Sequence, residues 1–189
     1  MPQNNFSQPR TVTASERGGL DIRNLVLLAI LLAAGFILNM TVGKALSALT
    51  MGTLSPEFII AAFCLEILIV RPKPAQALVI GLIAGAVIQI TASVKGPDLI
   101  AEPIAALVMT LIVAAGMKGK AKAIVPVLGT FVTTTLSGLI YAAIVIYALR
   151  TVNATLLIML PVVLGTGVAN AIIVGALYLP IKKALKLAD

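Results

Sequence analysis

The sequence has no histidine, no tryptophan and one cysteine, Cys64. Without histidine the commonest metal ligand, and the side chain that titrates nearest neutral pH, is missing. One cysteine within an apolar run builds neither a disulfide framework nor a thiolate cluster, and reads as a small buried apolar residue. No HExxH, no GxSxG with a base, no CxxC and no P-loop occurs, so neither a catalytic constellation nor a nucleotide cradle is present. No enzyme activity and no cofactor is expected, and any use of ATP has to come from another chain. Charge is scarce too. Asp, Glu, Lys and Arg make up 11% of the 189 residues against 60% hydrophobic ones, with a mean hydropathy of +1.10. Too few polar side chains remain to clothe a water-facing surface.

What is present is a series of long apolar runs. A helix needs about 20 mostly apolar residues to span a bilayer. Six candidate segments cover roughly 24–43, 55–70, 75–93, 99–117, 124–148 and 154–181. The expected fold is an all-α membrane protein, a bundle of six transmembrane helices over residues 21–189 behind a polar, disordered tail at 1–20. The basic residues fix an orientation. Arg10, Arg17, Arg23, Arg71, Lys73, Lys118, Lys120, Lys122, Lys182, Lys183 and Lys186 fall on one side of the six segments, and only Lys44, Lys95 and Arg150 on the other. Cytoplasmic loops retain Lys and Arg, so both termini are expected in the cytoplasm and the chain in the cell (inner) membrane. The net charge of +7 is thereby explained as topology anchoring, and nucleic acid is not an expected partner.

Punctuation refines the segments. Asp21 or Asn24 is placed to cap the first helix. The following ALSALTMGTLSP stretch, with Gly52 and Pro56, reads as an irregular and partly buried segment. The second segment is short, about 21 Å at 1.5 Å per residue, and needs shelter or borrowed length. Arg71-Pro-Lys-Pro74 ends it sharply. Gly81 and Gly85 in the third segment form a small-xxx-small pattern that lets two backbones approach closely.

Polar groups inside membrane helices are costly and mark candidate sites. With odd segments running outward and even ones inward, Asn39, Glu57, Gln89, Asp98, Glu102 and Tyr141 gather in the external half of the bundle. Asp98 and Glu102 are spaced i,i+4 and share one helical face. Paired carboxylates suit an ammonium group, a cation or a shared proton; the alternative is that both are wetted caps near Lys95. Glu57 follows Pro56 and serves equally as cap or ligand contact. Glu66 lies toward the cytoplasmic half, where it is expected to pair with Arg71 or a loop lysine, or to snorkel. Thr133, Thr134, Thr135, Ser137 and Thr166 read as packing residues that bond to their own helices. Asn170 is singled out, because an amide needs more partners than its own backbone offers.

These features resemble the substrate-binding S components of energy-coupling factor (ECF) transporters, over about residues 22–186. The likeness rests on size, six helices with both ends inside, a partly buried first loop, and the Ala29-Ile-Leu-Leu-Ala33 stripe. Within that family the tryptophan-type S components are the nearest, through Leu54-Ser-Pro-Glu-Phe58, the Gly-spaced third helix and Gly96-Pro-Asp-Leu-Ile-Ala-Glu102. Asp98 stands where an Asn is usual there, and the acidic residue after it is shifted by one. The resemblance implies a high-affinity receptor for tryptophan or a similarly small amino acid or vitamin. It would work with a transmembrane T component and two cytosolic ATPases, and catalyse no reaction itself. It further implies docking of the T component on Ala29 and Ala33, and substrate binding by Asn39, Glu57, Gln89, Asp98, Glu102, Tyr141 and Asn170, with the 44–56 segment as a lid. Three rivals remain: an S component for another vitamin or metabolite precursor, a stand-alone proton-coupled carrier, and a structural or assembly protein with no ligand.

Overall fold

A computed structural model describes residues 20–52 and 55–185, the side chains of 120 and 121 excepted. The described residues are all helical or irregular, with no strand. Six principal helices follow one another: α1 Ile22–Leu49, α2 Phe58–Val70, α3 Pro74–Ile88, α4 Asp98–Gly116, α5 Val125–Ala148 and α6 Leu156–Ala184. Four of them, α1, α4, α5 and α6, are long and apolar enough to cross a membrane, while α2 and α3 are apolar but shorter. The 1–19 tail, the 53–54 stretch and Lys186 lie outside the described residues.

Local chemistry explains most boundaries. Asp21 caps α1, its Oδ1 accepting from the Asn24 N–H at 2.9 Å. Here the structure corrects the expected irregular segment. The chain passes through a π turn at Asn39–Gly43 and stays helical to Leu49. Ala45, Leu46, Ala48 and Leu49 are good helix formers, and no breaker precedes Met51 and Gly52, whose positive φ values of 51° and 80° end the helix. Arg71, at φ 54°, terminates α2 just before Pro72. Helix α3 stops at Ile88, short of the expected 93, and the chain turns through 89–97.

The packing is inside out relative to a water-soluble protein. Ile22, Ile30, Leu157 and Ile172 are more than 60% exposed, while Glu66, Glu102, Thr130, Thr133, Ser137 and Asn170 are buried. An outer face so apolar has the character of a multi-pass membrane protein in a lipid bilayer. Helix α2 forms the centre, with every residue from Ile59 to Leu68 buried, which is the shelter that a 13-residue helix requires.

Small residues set the antiparallel neighbours. A Cβ on Gly35 would meet the Phe58 carbonyl at 2.8 Å, bringing the end of α1 to the start of α2. One on Gly81 would lie 2.5 Å from the Glu102 carbonyl, and one on Gly85 2.6 Å from that of Asp98. The Gly81 and Gly85 stripe therefore brings α3 directly onto the backbone that carries the two acids. In the same way Gly138 and Gly167 join α5 to α6, against Val163 and Thr135.

Candidate functional site

One end of the bundle, where α1, α3 and α5 finish and α2, α4 and α6 begin, holds a cavity of about 460 Å³. Lys44, Lys95 and Arg150 belong to this end, whereas Arg23, Arg71, Lys73, Lys118, Lys122, Lys182 and Lys183 belong to the opposite one. The wall includes Asn39, Glu57, Asp98, Glu102 and Tyr141, so five of the seven side chains singled out from sequence meet there. Lys44, Ser47, Ser55 and Pro56 from the segment after the π turn also contribute.

The start of α2 shows how Glu57 is made available. The first N–H groups of a helix have no partner within it. Two amides from other helices supply the caps: Asn170 Oδ1 accepts from the Glu57 N–H at 3.1 Å, and Asn39 Oδ1 from the Phe58 N–H at 3.3 Å. The Glu57 side chain caps nothing and lines the cavity instead. Asn170 is fully buried behind the wall; its Nδ2 donates to the Glu57 carbonyl at 3.0 Å and to Thr134 Oγ1 at 3.3 Å. Asn170 thus positions the site from outside the cavity.

Asp98 and Glu102 are buried, 6% and 1% exposed, so neither is a wetted cap. Gln89 stands beside the cavity as a brace: its Nε2 donates to Asp98 Oδ2 at 2.9 Å and its Oε1 accepts from the Gly96 N–H at 2.7 Å. Lys95 Nζ donates to the Gln89 carbonyl and not to the acids. Glu102 Oε1 accepts from the Ser137 hydroxyl at 2.7 Å, and Oε2 has no hydrogen-bond partner among the described residues. Glu57, Asp98 and Glu102 line the same cavity, yet among the described residues no group of three His, Cys, Asp or Glu side chains is arranged to hold a metal ion.

Sequence reasoning passed over Ser137 and Thr134 as packing residues, yet both line the cavity. Thr130 does bond to its own helix, at the Pro126 carbonyl. The signal was available in the 4–3–4 spacing of Thr130, Thr134, Ser137 and Tyr141, which places all four on one face of α5. Thr166 likewise reaches off its helix to the Ser55 carbonyl at 3.0 Å, tying the segment before α2 to α6. The wall contains Tyr141, whereas Tyr147, also on α5, is 60% exposed.

Among the described residues Glu66 does not make the expected ion pair. It is fully buried and neither carboxyl oxygen has a hydrogen-bond partner among the described residues. Arg71 is five residues on, roughly 140° round the helix axis, and is exposed. Ala29 and Ala33 sit on the exposed face of α1, opposite the buried Leu28, Leu32 and Gly35.

Compared with models of protein families, with curated proteins and with solved structures, the chain matches none.

Proposed function

We propose that this chain is a membrane-embedded binding subunit for a small amine-bearing solute, working as the S component of an ECF-type importer with a T component and two cytosolic ATPases. The observation that carries the reading is the cavity at one end of the bundle, lined by three carboxyl residues and by apolar side chains such as Ile60, Ile88 and Val163. Ligand sites are typically concave, largely apolar and furnished with a few convergent polar groups. The reading has six membrane-crossing segments with both termini cytoplasmic in the cell (inner) membrane. The basic residues then cluster inside and the cavity opens outward, as uptake requires. In this arrangement α2 and α3 are short spans sheltered by their longer neighbours.

The subunit binds and delivers but performs no chemistry. Tryptophan, or a similarly small amino acid or vitamin, is the candidate that the resemblance supplies. The exposed Ala29–Ala33 face of α1 supports docking of a T component, because small residues let a second helix approach closely. Fluorescence titration tests the receptor reading directly, since the chain has no tryptophan of its own. Saturable one-site binding of free tryptophan at micromolar concentration or below is expected, and co-purification with T and ATPase subunits completes the assignment.

Glu66, buried and with no hydrogen-bond partner among the described residues, favours a second reading, a stand-alone proton-coupled carrier. Such a carrier transports in vesicles without other subunits and depends on a pH gradient; an S component does neither.

A further inference from the structure

Among the described residues Lys44 is the one basic side chain in the wall of the cavity. It stands in the last part of α1, just after the π turn at Asn39–Gly43, and that turn decides which way it faces. Helix α1 buries Leu28, Leu32 and Gly35 against the bundle. At about 100° per residue an unbroken α-helix would carry Lys44 roughly 160° round from Leu28, toward the lipid side. A π turn takes up about one extra residue, which rotates everything after it back by about 100°. Asn39, Met40, Gly43, Lys44 and Ser47 thereby form one stripe along the cavity. Exposure follows the same rotation: Ser47 and Thr50 are half-buried, while Ala45, Ala48 and Leu49 on the far side are exposed.

Lys44 is not the counter-ion of the acids that share its cavity. Glu57, Asp98 and Glu102 line the same wall, yet among the described residues no ion pair joins any of them to Lys44. Nor is the lysine buried; it is an accessible side chain at the edge of the cavity. Its ammonium offers three donors and accepts nothing, so the group that answers it is an anion. The described wall holds no arginine and no second lysine. That is too little for a phosphate dianion, which calls for several cationic donors, and enough for one carboxylate.

We infer that Lys44 is the anion anchor of this cavity, and that the ligand carries a carboxylate besides its amine, as an α-amino acid does. The inference rests on the receptor reading above and narrows its substrate class, since an amine without an acid group would leave Lys44 unanswered.

The test is calorimetric titration of the full chain in lipid nanodiscs with two matched pairs, tryptophan against tryptamine and leucine against isoamylamine. The second member of each pair lacks only the carboxylate. In at least one pair the amino acid is expected to bind about 10- to 100-fold more tightly than its amine, the gain from one charge-assisted contact. Lys44→Met should bring that amino acid down to the affinity of the amine and leave the amine unchanged, while Lys44→Arg should keep most of the preference. Arg150→Gln, at the same end but outside the wall, controls for charge at a distance and should change neither. Equal affinity within each pair that binds, or a preference that survives Lys44→Met, overturns the anchor and leaves the amine receptor standing. Failure of all four compounds to bind overturns the anchor and the amine-receptor reading together.

Discussion

The Ser137 hydroxyl donates to Glu102 Oε1 at 2.7 Å, across the α4–α5 contact, while the second oxygen of the same carboxyl is left bare. One neutral donor from α5 thus holds the carboxyl in place. Ser137→Ala removes that donor and leaves both oxygens unsatisfied. The expected cost is about 1–3 kcal/mol of stability, as for a buried acceptor that loses its partner. Amine affinity should fall less than in Glu102→Gln, since the carboxyl itself remains. Denaturant unfolding and ligand titration on the same preparation check the pair of expectations.

The α3–α4 contact controls the site at longer range. Any side chain at Gly81 collides with backbone, the Glu102 carbonyl and the Pro103 Cα, rather than with a flexible side-chain tip. Gly81→Ala is therefore expected to cost about 1–3 kcal/mol, as overpacking does, even though alanine is the better helix former. Because the helix that must yield is the one carrying Asp98 and Glu102, ligand affinity should drop together with stability. An Ala substitution at Gly119, where a Cβ would meet nothing within 4 Å, is the control and should change neither.

Asn170 anchors the start of α2 with both ends of its amide, to the Glu57 N–H and the Glu57 carbonyl. Asn170→Ala strands two backbone groups at once, and a loss of about 2–4 kcal/mol is expected from two such groups. Asn170→Asp keeps the acceptor, loses the amide donor and adds a fourth carboxyl near the cavity. It should fold less well than wild type and bind an amine differently from Asn170→Ala. Thermal unfolding in detergent and titration with one amine separate the two effects.

The helical class and the approximate positions of six helices were legible because apolar runs and their breakers are local features. So was the polar cluster, since alternating helix direction alone brings the ends of α1 and α3 beside the starts of α2 and α4. Three things were not legible, for reasons that are tertiary. The helix past Lys44 depends on a π turn that re-aims the chain, and no composition signal marks it. Asn170 was noticed, but that its amide caps another helix follows from how α6 packs on α2. The expected partner of Glu66 was a matter of sequence distance, whereas the packing turns that side chain inward and leaves Arg71 outside.

Glu66 gives a prediction that divides the two functional readings. A buried carboxyl with neither oxygen bonded is a cost to the fold. Glu66→Leu should leave amine binding unchanged and raise stability by about 1–3 kcal/mol, the penalty of the unsatisfied group relieved. If the chain is an S component, uptake by the assembled importer survives the change. Uptake lost while binding is retained would instead make Glu66 a proton-carrying group and favour the stand-alone carrier.

The last prediction concerns the outer face of α1. Ala29 and Ala33 are exposed one turn apart, flanked by Ile30 and Ile37, which are each 61% exposed. Two small residues one turn apart on an exposed face let a second helix approach closely, and a tryptophan at either position blocks that approach with a side chain that lipid tolerates. The cavity lies farther along the helix, at the π turn Asn39–Gly43 and just past it. Ala29→Trp and Ala33→Trp should therefore leave stability and ligand binding as they are, while abolishing co-purification with a T component and uptake by the complex. Binding and uptake lost together would locate the damage in the fold. Both retained would mean that this face meets only lipid, and the docking surface would have to be sought on another of the exposed helices.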